Sequence, residues 1–310
     1  MIINPGVVGI DISKHHLDIF DGAVGRPERV SNGPQAAASL AARFAAAGVF
    51  VLFEATGAYD LVLRRALQAA GVAFARVNPA RARDFARAAG FLAKTDRIDA
   101  RMLAAMAQSL RPHPHASTDP AREKLASLSR RRDQLVAMRK QERTRRSACH
   151  DEEMADDIDR HMAWLNHAIA DLDRAIRQLI CASASLKQAE QRLRSVPGIG
   201  PVAAATLLAL LPELGTRSPK AIAALAGLAP INADSGMFRG KRSIRGGRKR
   251  VRDALYMAAV AAARSNSRLA AIYRALIDAA KPPKLALIAV ARRILVILNA
   301  IVRDNTIFQP

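Results

Sequence analysis

Four carboxylates and one serine are the residues of this sequence whose types and spacing could do chemistry. Asp11 interrupts an otherwise apolar run, VVGIDIS (Val7–Ser13), and Glu54 stands near the end of another, VFVLFEA (Val49–Ala55). If both runs are buried, adjacent strands, the two carboxylates emerge together at one end of a sheet. Like charges there need a cation or a proton between them. Asp96 and Asp99, in KTDRIDA, are three residues apart at a helix start and so share a face. Together the four would form a hard-oxygen site suited to Mg²⁺. Two such ions about 4 Å apart can activate an attacking oxygen and stabilise a leaving one at phosphorus. Each residue also has a plainer reading. Asp96 and Asp99 could be ordinary helix N-terminal acids, favoured by the dipole, and Asp11 a strand-end cap. Asp18, Asp21, Asp60 and Asp84 read as solvated turn or helix-surface residues, and nothing pairs His15 and His16 into a ligand set.

Ser235 opens a different chemistry. It lies in ADSGMFRGKRSIRGGRKR (Ala233–Arg250), where the segment from Arg239 onward has seven basic residues in twelve and no acid. A serine hydroxyl is a poor nucleophile and needs a base, a metal or relief of charge at the phosphate. Arg239, Lys241, Arg242, Arg245, Arg248, Lys249 and Arg250 could hold phosphate oxygens. Gly246 and Gly247 would permit close backbone approach, and the lack of interleaved aromatics favours backbone phosphates over stacked bases. A second phosphate-binding candidate is the Pro-Gly-Ile-Gly turn in SVPGIGPVAAATLLALL (Ser195–Leu211), typical of a helix-hairpin-helix. There Gly198 and Gly200 would let backbone N–H groups and a helix N-terminus approach a phosphate. The alternative is a plain tight turn between packed helices.

The charge balance supports a polyanionic partner. The chain of 310 residues carries 48 Lys+Arg against 27 Asp+Glu, a net +21. Such an excess opposes compaction unless it has anions to meet, and nucleic acid is favoured over an acidic membrane because no lysine-rich amphipathic tail is present. Two cysteines, Cys149 and Cys181, with no CxxC exclude a disulfide framework or a zinc module and fit a reducing cytosol. MIINPGVVGI lacks the layout of a signal peptide. The late apolar stretch ALIAVARRILVILNAIV is interrupted by Arg292 and Arg293 and reads as a packed helix rather than a bilayer span.

The elements that must position these residues follow from patterning. Residues 1–111 give three short strands near 7–13, 16–20 and 29–31, then a helix, a strand at 49–55, and further alternation of helix and strand. That order is the order of a ribonuclease-H-like α/β domain. PHPHASTDP (Pro112–Pro120) reads as a linker. Over 119–190 the pattern is helical. Ile158, Met162, Leu165, Ile169, Leu172, Ile176 and Leu179 recur at alternating spacings of 4 and 3, an a/d seam preceded by an Arg-rich helix. Two helices joined near Cys149–Ala155 would make an antiparallel hairpin, and the strict spacing favours a dimerising coiled coil. Residues 194–310 read as mostly helical.

At this point the motifs carry a family likeness. GIDISK (Gly9–Lys14), EATGAY (Glu54–Tyr59), KTDRIDA (Lys94–Ala100), SVPGIGPVAAATLLA, LAGLAP (Leu225–Pro230) and SGMFRGKRSIRGGRKRVRDALYMAA (Ser235–Ala259) resemble the DEDD transposases of the insertion sequence one-ten family. The resemblance implies a RuvC-like N-terminal domain, a coiled-coil middle and a C-terminal transposase domain. It implies that Asp11, Glu54, Asp96 and Asp99 are the DEDD ligands of Mg²⁺, and that Ser235 is a nucleophile forming a covalent phosphoserine with DNA. It also implies a composite site shared between subunits, a homo-oligomer from dimer to tetramer, and a structured bridge RNA that pairs with target and donor DNA. Two other readings stay open on the residues alone. One is a RuvC-like nuclease or junction resolvase with water as nucleophile; the other is a non-catalytic nucleic-acid-binding regulator.

Overall fold

The computed structural model describes residues 3–55, 57, 59–91, 95–115, 119–232, 240, 242–265 and 267–309. The chain divides into two compact units, 1–117 and 118–310.

The first unit is built on β1 (Val7–Ile12), β2 (His16–Asp21), β3 (Pro27–Ser31), β4 (Phe50–Glu54) and β5 (Phe74–Val77). These form one sheet in the order β3-β2-β1-β4-β5. β1 to β3 form an antiparallel meander, and β4 and β5 continue from β1 in parallel. Helix α1 (Pro34–Ala47) connects β3 to β4, and α2 (Leu61–Ala69) connects β4 to β5. α1 starts with Pro34 in its first turn, where a missing N–H costs nothing, and ends at Gly48 in the left-handed conformation, φ 61°.

Strand alternation sends Val8, Ile10, Leu17, Ile19, Val51 and Phe53 to one face, where Leu40, Phe44, Leu63 and Leu67 of α1 and α2 cover them. The opposite face carries Phe50, Leu52, Ala75 and Val77. It is covered by α3 (Pro79–Ala88) and α4 (Asp96–Leu110), through Ala82, Met102, Leu103 and Met106. With both faces covered, β4 has no reason to alternate, so FVLF is continuously apolar.

The second unit is mostly helical. It contains α5 (Pro120–Ala148), α6 (Glu152–Ala182), α7 (Ala184–Arg194), α8 (Pro201–Leu210), α9 (Pro219–Leu225), the two-residue strands β6 (Pro230–Ile231) and β7 (Ser243–Ile244), then α10 (Lys249–Ala263), α11 (Arg268–Asp278) and α12 (Pro283–Asp304). α5 and α6 form the antiparallel hairpin that the sequence suggests. The apolar seam of α6, however, is taken up within this chain. Leu165 and Ile169 pack on Leu135 and Val136 of α5, and Ile176 enters the core of the helical unit. A 3/4 repeat records that a helix has a partner without naming it, and within this chain the preceding helix is one such partner. Arg132–Asp173 and Arg146–Asp159 ion pairs join the two helices.

α12 is long and apolar enough to cross a membrane by length and composition. In the structure Val290, Ile294, Leu295 and Leu298 are fully buried in the core of the unit, beside Leu207, Leu255 and Ala259. The buried Asn299 on the same helix accepts from the Gly215 N–H and donates to the Arg217 carbonyl, so its polar group is satisfied.

Candidate active site

The register of the sheet brings the first acidic residues together. Asp11 on β1 lies opposite Asp18 on β2, and Asp18 lies opposite Arg29 on β3. On the other side Ile10 of β1 pairs with Phe53 of β4, so the same offset continued by one residue sets Asp11 beside Glu54. Since Ile10 and Phe53 face α1 and α2, Asp11 and Glu54 belong to the α4 face. One row therefore crosses four strands: Arg29, Asp18, Asp11, Glu54.

α4 delivers the other two carboxylates. Thr95 caps the helix, its hydroxyl accepting from the Ile98 N–H at 3.3 Å, so Asp96 and Asp99 fall in the first turn as KTDRIDA suggests. The helix lies directly on β1 because Gly9 has no side chain. A Cβ there would stand 2.1 Å from the Ala100 carbonyl oxygen and 2.3 Å from the Ala104 nitrogen. Farther along the helix, Gln108 accepts from the Asn4 N–H, so α4 runs antiparallel to β1. Its N-terminus therefore arrives at Asp11.

The charges are close enough to feel one another. Burial, then the charges of Asp99, Asp96 and Asp18, push the Asp11 carboxyl up from 3.8 to about 6. The meander also reveals two acids that the sequence reading placed in solvent. Asp18 is buried and held bidentately by Arg29 at 2.9 Å through both oxygens. Asp60 is likewise buried, in an ion pair with Arg76 at 2.6 Å. Both corrections have one cause: each acid has an arginine on a neighbouring element, and that neighbour is set by tertiary register. Alternation along HLDIFD could have signalled Asp18, because it puts Asp18 on the face opposite Leu17 and Ile19.

Arg29 reaches further. The same NH2 group donates to Asp96 Oδ2 at 2.8 Å. Among the described residues, no three Asp, Glu, His or Cys side chains close on a common point as a ligand cage. The donor set still fits a hard divalent cation. All the groups are carboxylates, and the raised Asp11 shows a local excess of negative charge that a cation would relieve.

In the helical unit the predicted phosphate contacts divide into three groups. Ser235, Arg239 and Lys241 lie outside the described residues. Their segment is framed by β6 and β7, which pair Pro230 with Ile244 and Ile231 with Ser243. Arg242 and Arg245 are exposed, and neither has a protein partner among the described residues. The last three cations are engaged. Arg248 donates to both oxygens of Glu213, at 2.5 and 2.6 Å, and to the Leu210 carbonyl. Lys249 pairs with Asp253 at 2.6 Å, and Arg250 pairs with Asp133 of α5. Burial and the neighbouring Arg130 and Arg132 lower the pKa of Arg250.

The glycines serve packing more than the sequence suggests. Gly198 has φ +90°, and a Cβ there would meet the Ala258 carbonyl oxygen at 2.2 Å, so what it admits is α10. Gly247 similarly admits the backbone of Gly227, at 2.2 Å from its nitrogen. Gly200, the N-cap of α8, and Gly246 border open space.

Comparison with known proteins finds family matches in both halves of the chain. Residues 8–152 match the DEDD transposases of IS110, and residues 190–274 match the transposase IS116/IS110/IS902 family. The pilin gene-inverting protein of Moraxella bovis is 30% identical over 317 aligned positions, covering 97% of each chain. That of Moraxella lacunata is 32% identical over 267 residues, 84% of this chain and 81% of the relative. An uncharacterized 43.6 kDa protein of insertion element IS110 from Streptomyces coelicolor is 30% identical over 145 residues, 46% of this chain and 36% of its own length.

Proposed function

This chain belongs to the IS110 family of transposases and is a DNA recombinase, and on that premise we propose that Asp11, Glu54, Asp96 and Asp99 hold Mg²⁺ while Ser235 attacks DNA phosphorus. The observation that carries the metal assignment is the row Arg29–Asp18–Asp11–Glu54, met by the first turn of α4, with the Asp11 carboxyl pushed up to about 6. The strand order β3-β2-β1-β4-β5, antiparallel then parallel, supports a ribonuclease-H-like or RuvC-like domain as its scaffold.

Bound Mg²⁺ would supply Lewis-acid stabilisation of charge on the oxygens around phosphorus. The chain's own residues supply the rest. The Ser235 hydroxyl gives up its proton and its oxygen bonds to phosphorus. The bond from phosphorus to one deoxyribose oxygen breaks, and that oxygen leaves as a hydroxyl on taking up a proton. The phosphoserine keeps the phosphodiester, so a hydroxyl of another strand can displace the serine without an external energy source. Arg242 and Arg245, exposed and without a partner among the described residues, hold the flanking phosphates.

The net charge of +21 suits a substrate that includes both DNA and a structured bridge RNA, with RNA pairing to supply the sequence choice. The reaction is site-specific recombination in the bacterial cytoplasm by a homo-oligomer. The named role of the Moraxella relatives, inversion of a pilin gene, fits the same strand exchange.

A nicked element-end substrate, whose short leaving fragment diffuses away, tests the serine. The wild-type protein accumulates a covalent protein–DNA adduct whose peptide maps to Ser235, and Ser235→Ala forms none while retaining DNA binding. Undiminished adduct in Ser235→Ala refutes the nucleophile.

A further inference from the structure

We infer that Arg29, anchored by the buried Asp18, is a positioning residue that orients the Asp96 carboxylate for the divalent cation. The inference rests on the metal assignment proposed above and extends it to two residues outside the DEDD set.

The geometry is that of an outer hydrogen-bonded layer. Asp18 is nearly inaccessible, its side chain 3% exposed, and both its oxygens accept from Arg29 at 2.9 Å. Such a two-point grip fixes the plane of the guanidinium. The same NH2 group, through its second N–H, donates to Asp96 Oδ2 at 2.8 Å, which leaves Asp96 Oδ1 for a ligand. Asp96 is otherwise on an exposed first turn, its side chain 60% exposed, where a carboxylate would sample several rotamers. Arg29 selects one. Carboxylates that bind metals are commonly held by such partners, whose loss costs on the order of 10–100-fold in metal affinity.

The opposing effect is repulsion between the arginine and a cation. It is small here because Asp18 neutralises Arg29 at hydrogen-bonding distance, so the pair presents little net charge to the site. Orientation, rather than charge, is what remains. The row also explains why Asp18 stands directly across from Asp11, a like-charge pairing that is otherwise unfavourable. Arg29 draws the Asp18 charge toward β3 and away from Asp11.

The test is Mn²⁺ binding to the full-length protein by calorimetry and by the paramagnetic signal of free Mn²⁺, with Asp11→Asn as the control for the site. Wild type binds, and Asp11→Asn does not. Arg29→Gln weakens Mn²⁺ about tenfold or more, and Arg29→Lys recovers part of the loss. Because Arg29→Gln leaves Asp18 buried without its partner, the double variant Asp18→Asn/Arg29→Gln is measured beside it, with circular dichroism to confirm folding. If Arg29 acts by orientation, the double variant stays weak. Wild-type affinity in a folded double variant, or in folded Arg29→Gln, overturns the inference and leaves the metal site standing. Absence of Mn²⁺ binding by the wild type overturns both.

Discussion

At the scale of single residues, Asp11 carries a measurable cost. Its carboxyl is pushed up from 3.8 to about 6, so the folded protein holds that proton more tightly than the unfolded chain does. The stability associated with the protonated form is complete below about pH 4 and is lost as pH rises through about 6. Without divalent cations, Asp11→Asn therefore melts higher than wild type at pH 7.5, and the advantage disappears at pH 4. Thermal melts in EDTA at the two pH values check this, and a Mg²⁺-dependent rise in melting temperature belongs to wild type alone. An Asp11→Asn protein that melts lower at pH 7.5 contradicts the crowding of charge around Asp11. The four carboxylates proposed as ligands are legible in the sequence because each interrupts a pattern, an apolar strand or a helix start. For Asp18 alternation signals the face but not its partner Arg29, and Asp60 carries no such signal, because the arginine that separates each from a solvated acid is brought near only by tertiary structure.

At the scale of elements, the site depends on backbone contacts that glycines allow. Gly9 lets α4 lie against β1, and α4 carries Asp96 and Asp99 to Asp11. Gly9→Ala forces the helix outward, at an overpacking cost of about 1–3 kcal/mol. Its larger effect falls on Mn²⁺ affinity, because two ligands move together; unchanged affinity in a folded Gly9→Ala protein rules out this positioning. In the helical unit, Gly198 and Gly200 should behave differently despite sharing one turn. Gly198→Ala meets the Ala258 carbonyl and adopts a strained φ, so denaturant melts should show a loss of about 2 kcal/mol or more. Gly200→Ala faces open space at a helix N-cap and should cost under about 1 kcal/mol. Equal losses contradict the assignment of Gly198 to packing. Alternation and heptad spacing make the elements themselves readable, but they name a buried face without naming its partner. The α6 seam shows this: Leu165 and Ile169 have the spacing of a coiled coil and find α5.

At the scale of the whole molecule, the net +21 is the clearest sequence feature, yet the structure spends part of it internally. Arg248 is tied to Glu213, Lys249 to Asp253 and Arg250 to Asp133, whereas Arg242 and Arg245 have no partner among the described residues. A run of basic residues cannot reveal which members answer acids distant in sequence. Duplex DNA binding should fall with salt, each phosphate contact contributing about 0.9 to the log–log slope. Arg242→Gln and Arg245→Gln should each lower that slope by about 0.9 without changing stability. Arg248→Gln should leave the slope nearly unchanged and lower the melting temperature, since it strands Glu213 and the Leu210 carbonyl. Titrations of labelled duplex at several salt concentrations distinguish the two kinds of arginine.

The most direct test of the central claim is strand cleavage of an element-end substrate, with any guide RNA it requires, in Mg²⁺ and in EDTA. It compares wild type with Asp11→Asn and Glu54→Gln. Cleavage by wild type in Mg²⁺, its loss in EDTA, and its loss in both folded variants are the predicted results. Undiminished cleavage in EDTA, or in either variant, contradicts a metal-binding carboxylate cluster at the meeting of β1, β4 and α4.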